Sequence, residues 1–189
     1  MSIKQIAIMA SGSGTNAQRI IEYFSGNEQV KVTALLSNNP AAYALVRAAS
    51  LGVESFVFSR DDLRVNNVVI DYLTERKTDL IVLAGFLWLI PKSLIDRFTI
   101  VNIHPALLPR YGGKNMYGNL VHEAVIRNGE KESGITIHYV NENYDEGAII
   151  FQASCEVKSD DTPETLASRI HQLEYQYYPG IIEKVLEAM

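Results

Sequence analysis

Hydrophobic and polar positions follow two rhythms along the chain. Residues 3–9 form a short, nearly continuous apolar run, the pattern of a strand buried on both faces. A glycine-rich turn follows at residues 10–16, and Ile20, Ile21 and Phe24 then recur at helical spacing until Gly26-Asn27. Residues 30–37 read as a second strand with Asn38-Asn39-Pro40 as its turn, and residues 41–50 as a helix closed by Gly52. A third strand covers 53–58, and Ser59-Arg60-Asp61-Asp62 is the N-cap region of a helix from about residue 63 to 76. Residues 80–84 form a fourth strand, Pro91 opens a short helix over 92–97, and residues 100–103 form a fifth strand. Strands alternating with helices in this way predict a parallel sheet covered on both faces.

The rhythm changes after residue 110. Residues 111–119 hold three glycines and no periodicity, so they read as a loop, with a short helix over 120–127 behind it. Residues 134–140 alternate, residues 148–157 form another strand run, and together they predict an antiparallel pair added to the sheet edge. Thr162 as N-cap and Pro163 at the first helical position start a final helix to about residue 186, with a bend expected near Pro179. The fold class expected is α/β: a doubly wound, mostly parallel, Rossmann-like sheet with antiparallel strands near the C-terminus, as a single domain over residues 1–189.

Composition narrows the function classes. A net charge of −5 leaves no basic footprint for nucleic acid. The lone cysteine, Cys155, excludes an internal disulfide and a cysteine-based zinc cluster. No apolar run reaches the ~18–20 residues of a membrane helix, and no signal-peptide pattern stands at the N-terminus, so a cytoplasmic location is expected.

The candidate chemistry lies where the predicted strands end. Asn102 and His104 are two residues apart, and on a strand they face one way, placing an amide donor beside a titratable imidazole. Gly12-Ser13-Gly14-Thr15-Asn16-Ala17 fits the loose fingerprint G-x-G-x-x-A, a helix N-terminus able to hold a phosphate. The second strand ends in Leu36-Ser37-Asn38-Asn39, without the acid that holds a dinucleotide's ribose, so a smaller phosphate-bearing ligand is expected. Residues 83–91, with Trp88, Leu89 and Ile90, can line a pocket for a flat ring or pack beneath the next helix. Asp145 gains a role only if the fold brings it to His104, where its carboxylate would raise the imidazole pKa. His138 faces the same cleft or the surface, His122 begins a helix, and His171 with Glu174 forms a ligand-binding or a solvated pair. No metal-ligand spacing and no activated serine motif are present.

Four segments in order are distinctive: Ser11-Gly12-Ser13-Gly14-Thr15-Asn16, Leu83-Ala84-Gly85-Phe86, the stretch from Asn102-Ile103-His104-Pro105 to Pro109, and Gly134 to Val140 followed by Asp145-Glu146-Gly147. Over essentially its whole length the chain resembles the phosphoribosylglycinamide formyltransferase family of folate-dependent formyltransferases. The resemblance implies a purine-biosynthetic enzyme that moves a formyl group from 10-formyltetrahydrofolate to glycinamide ribonucleotide, without a metal, as a monomer or homodimer. It also implies a phosphate-binding half over 1–100 and a catalytic, folate-binding half over 101–189. Asn102, His104 and Asp145 would be catalytic. Gly12, Ser13, Gly14, Thr15, Asn16 and Glu174 would bind the ribonucleotide. Trp88, Leu89, Ile90, Asn102, Tyr139, Val140 and Asp145 would bind folate, with His138 and His122 as site neighbours. Trp88 stands where many members carry arginine. The alternatives are another folate-dependent formyltransferase and a nucleotide-binding regulatory module without catalysis.

Overall fold

The computed structural model describes residues 3–189. Strands β1 (Lys4–Met9), β2 (Val30–Ser37), β3 (Ser55–Val57), β4 (Leu80–Leu83), β5 (Thr99–His104), β6 (Glu132–Tyr139) and β7 (Ile149–Glu156) form one sheet, in the order β3-β2-β1-β4-β5-β6-β7. Helices α1 (Thr15–Phe24), α2 (Tyr43–Ser50), α3 (Arg60–Arg64), α4 (Val68–Glu75), α5 (Lys92–Ile95), α6 (Asn119–Arg127) and α7 (Pro163–Glu187) lie between and after the strands. Neighbouring strands from β3 through β5 run parallel, and β6 and β7 add antiparallel to β5. The expected mixed sheet is therefore the observed one.

Period-two alternation divides the central strands between two cores. Ile6 and Ile8 of β1 join Leu35, Val82 and Val101 under Ile20 and Phe24 of α1 and Ile170 and Ile182 of α7. Ala7 and Met9 turn the other way, with Leu36, Ile81 and Leu83, against Leu63, Leu73 and Leu94. Both faces being covered explains why these strands read as apolar runs rather than as alternating ones. Tyr178 pins α7 to the sheet, its buried hydroxyl donating to Leu83 O at 2.9 Å.

Two elements differ from expectation. The helix expected over 63–76 is two helices. The amides of Val65 and Asn66 both return to Asp61 O (2.8 and 2.9 Å), and Asn67 then takes a left-handed conformation (φ 56°) that asparagine tolerates. The Ser59 N-cap does form, as a reciprocal capping box with Asp62. Pro179 lies within α7, which runs unbroken over 25 residues with that ring buried. β5 continues through His104, because β6 supplies a ladder beyond Asn102, where the β4 pairing ends: Ile103 pairs with Ile137 and His104 with Thr136.

Candidate active site

The strand order reverses between β1 and β4, and a doubly wound sheet opens its crevice at the carboxyl ends of the strands there. The turn from β1 into α1 forms one wall. Gly14 is the N-cap residue with φ +73°, and a Cβ there would lie 2.5 Å from the Ala44 Cβ, so glycine is required twice over. No side chain caps α1, which leaves the amides of its first turn for a ligand, at the positive end of the helix. Asn16 Nδ2 donates to Glu174 Oε2 at 2.8 Å, joining this turn to α7. Glu174 is only 6 % exposed, and burial raises its pKa to about 7 against the opposing Asn16 bond.

β5 and β6 form the opposite wall. Their register places Asn102, His138, His104 and Thr136 on one face of the sheet. His138 Nδ1 lies 2.8 Å from its neighbour's carbonyl, Tyr139 O, and so carries the proton. Its Nε2 is then an acceptor for Asn102 Nδ2 at 3.1 Å. His104 Nε2 donates to Tyr111 O at 2.7 Å. The loop after β6 brings in Asp145, with Oδ2 at 3.4 Å from His104 Nδ1 and Oδ1 at 3.7 Å from His138 Nε2. The Gly113 amide donates to the same carboxylate at 2.9 Å. Position 147 must be glycine for this loop to seat, since a Cβ there would fall 1.7 Å from Tyr139 O.

Asp145 does reach His104, and its carboxylate acts to raise the imidazole pKa as expected, yet the net shift is downward. Burial disfavours the imidazolium by more than Asp145 and the Tyr111 carbonyl favour it. Asp145 is also buried, which raises its pKa, but the His138 contact, the His104 charge and the Gly113 amide together hold it below the ordinary carboxylate range. At neutral pH the pair is thus a carboxylate facing a neutral ring whose proton sits on Nε2. A 3.4 Å gap, too long for a firm hydrogen bond, fits two such acceptors.

One cavity of about 430 Å³ joins the two walls. Gly12, Ser13, Gly14, Thr15, Asn16, Trp88, Leu89, Ile90, Asn102, His104, His122, His138, Val140, Asp145 and Glu174 all line it. Tyr139 does not; the residue is 39 % exposed. Phe86 and Trp88 meet edge to face and supply flat apolar surface, with the Arg60 guanidinium over the Trp88 ring. Burial lowers the pKa of His171, which also lines the cavity, and drives His122 to about 4 with help from His171 and His104. Sequence reasoning missed two contributors, the Tyr111 carbonyl and the Gly113 amide. Both are backbone groups, and only the glycine pair at 112–113 hinted at an unusual path there. Among the described residues, no group of three or more His, Cys, Asp or Glu side chains could hold a metal ion.

Residues 4–182 match the family model described as formyl transferase. The phosphoribosylglycinamide formyltransferase of Haemophilus influenzae is 39% identical over 188 residues, covering 96% of this chain and 86% of that protein. The Bacillus subtilis protein of the same name is 35% identical, with coverage of 97% and 95%. The crystal structure of phosphoribosylglycinamide formyltransferase from Anaplasma phagocytophilum superposes with a TM-score of 0.89 at 34% identity, over 99% of this chain and 89% of that one.

Proposed function

The chain belongs to the formyl transferase family, within the phosphoribosylglycinamide formyltransferases, and from that membership we propose that it transfers the formyl group of 10-formyltetrahydrofolate to the amine of glycinamide ribonucleotide, a step of purine biosynthesis. The observation that carries the reading is one cavity with two different ends. At one end lie the uncapped first turn of α1 and the buried Glu174, suited to a phosphate and a ribose. At the other, Asn102, His104 and Asp145 converge beside an apolar aromatic wall, suited to a formyl group on a flat pterin.

In this reading Gly14, Thr15 and Asn16 hold the phosphate through backbone and side-chain donors, and Glu174 accepts from the ribose. Trp88, Leu89, Ile90 and Val140 flank the folate ring. The glycinamide nitrogen attacks the formyl carbon directly, and the carbonyl pair moves onto oxygen. Asn102 Nδ2 uses one hydrogen on His138 and has a second for that oxygen. The attacking nitrogen becomes positive and gives its proton to the neutral His104 Nδ1. The imidazolium so formed faces the Asp145 carboxylate. The bond from carbon to the folate N10 then breaks, N10 takes the proton, and formylated ribonucleotide and tetrahydrofolate leave. Binding tests the reading. Glycinamide ribonucleotide and 5,8-dideazafolate should each raise the melting temperature, and NAD should not. Stabilisation by NAD alone would return the site to a dinucleotide.

A further inference from the structure

The ladder between β1 and β4 continues past both strands. Ala84 N–H donates to Met9 O at 2.9 Å, and Ser11 N–H donates to Gly85 O at 3.0 Å. The Ser11 hydroxyl then donates to Asn38 Oδ1 at 2.7 Å and accepts from Leu87 N–H at 3.1 Å. Its carbonyl accepts from Asn39 Nδ2 at 3.2 Å. Ser11 is 7 % exposed, and its amide, carbonyl and hydroxyl are all engaged. These bonds tie the ends of β1, β2 and β4 together just outside the cavity lining, which begins at Gly12. One chain neighbour, Gly12, begins the phosphate turn. Leu87, held by the hydroxyl, belongs to the aromatic wall. Asn38 stands at the end of β2, where a dinucleotide site would place its ribose acid, and here its oxygen is engaged by Ser11.

We propose that Ser11 is a positioning residue for the transfer, setting the separation between the phosphate turn and the folate wall. The inference rests on the proposed function. Each half-site has its own support: the turn stands on α1 and against Ala44, and the wall of Phe86 and Trp88 packs on Phe58 in the second core. Losing the hydroxyl therefore leaves each ligand its own contacts but loosens their mutual placement. The reacting nitrogen and carbon must meet at about 3–3.5 Å, and a shift near 1 Å costs about 10²-fold.

The test is Ser11→Ala, with binary dissociation constants for glycinamide ribonucleotide and 5,8-dideazafolate by calorimetry and kcat at saturation of both reactants. Each dissociation constant should move by less than about threefold while kcat falls about 10- to 100-fold. Ser11→Thr, which keeps the hydroxyl, should recover most of that loss. Asn38→Ala, which cuts only the outer link, should lower kcat less, and it decides the matter if Ser11→Ala does not fold. The proposal is overturned if Ser11→Ala keeps kcat within about threefold of wild type, or if both dissociation constants rise with the loss of kcat, the mark of a collapsed site. A wild-type protein that binds and converts neither reactant defeats the proposed function as well; an active wild type with an equally active Ser11→Ala defeats the role of Ser11 alone.

Discussion

Replacing Asp145 by asparagine removes one charge and almost no volume. The Asn Oδ1 can still accept from the Gly113 amide, so the loop keeps its anchor. What is lost is the field on His104 Nδ1, 3.4 Å away. Two unit charges at that separation attract by about 5 kcal/mol at an effective dielectric near 20 and by about 1 kcal/mol at 80. The side chains of His104 and Asp145 are only 4% and 10% exposed, which favours the larger figure. His104 is neutral before the reaction and cationic only while it carries the proton of the attacking amine, so the attraction stabilises the transition state and not the bound reactants. At about 1.4 kcal/mol per tenfold, an attraction of about 3–4 kcal/mol, between those limits and nearer the larger, should lower kcat by roughly 10²–10³. The affinity for glycinamide ribonucleotide should stay unchanged. Steady-state kinetics with both reactants, alongside a thermal melt, measure this. An Asp145→Asn enzyme with folded melting behaviour and kcat within about threefold of wild type would refute the proton route.

Other changes report on separate parts of the account. Asn102→Ala removes the donor assigned to the formyl oxygen and should lower kcat about 10²- to 10³-fold with little change in melting temperature; a loss confined to KM would reassign the residue to binding. If neutral His104 takes the proton, kcat should rise with pH through a pKa below the ordinary histidine value of 6.5 and level off above it; a rate that falls over that range would mean the imidazolium is the working form. Gly147→Ala drives a methyl into Tyr139 O and should cost on the order of 1–3 kcal/mol in urea unfolding and displace Asp145; wild-type stability would show that the loop yields freely. Glu174 has a raised folded pKa, about 7 against 4.5, so the native protein keeps a proton that the unfolded chain has lost. Its contribution is fully present below the unfolded value and disappears as pH rises through the folded one, about 3 kcal/mol in all. Glu174→Gln should flatten this decline in denaturant melts across that window, and an equal decline in both proteins would contradict the buried, protonated state.

The fold was legible where local chemistry and tertiary packing agree. The β1 run, the helical spacing of Ile20, Ile21 and Phe24, and the Thr162-Pro163 start all carry their own signals, and each became the expected element. Sequence patterning failed where two local solutions were close in energy. Residues 63–76 hold enough apolar positions for one helix, and Asn67 in the left-handed region divides it. The end of β5 depended on a partner 32–36 residues away, so its true length was hidden until β6 paired with it. The site followed the same rule. Asn102 and His104 could be read as co-facing from their spacing, but Asp145 could not be placed beside them, because a turn, the close approach of Gly147 and the Gly113 amide jointly set that contact. The raising effect of a carboxylate on the imidazole is visible in a sequence-based argument, while the depth of burial that outweighs it is not.

The most direct measurement is formyl transfer itself. Purified protein is mixed with 10-formyltetrahydrofolate and glycinamide ribonucleotide, and both products are quantified. The account predicts equal amounts of tetrahydrofolate and N-formylated ribonucleotide, formed only when both reactants are present and strongly reduced in the Asn102→Ala and Asp145→Asn proteins. Tetrahydrofolate released without the ribonucleotide, or no formylated product from folded protein, would contradict it.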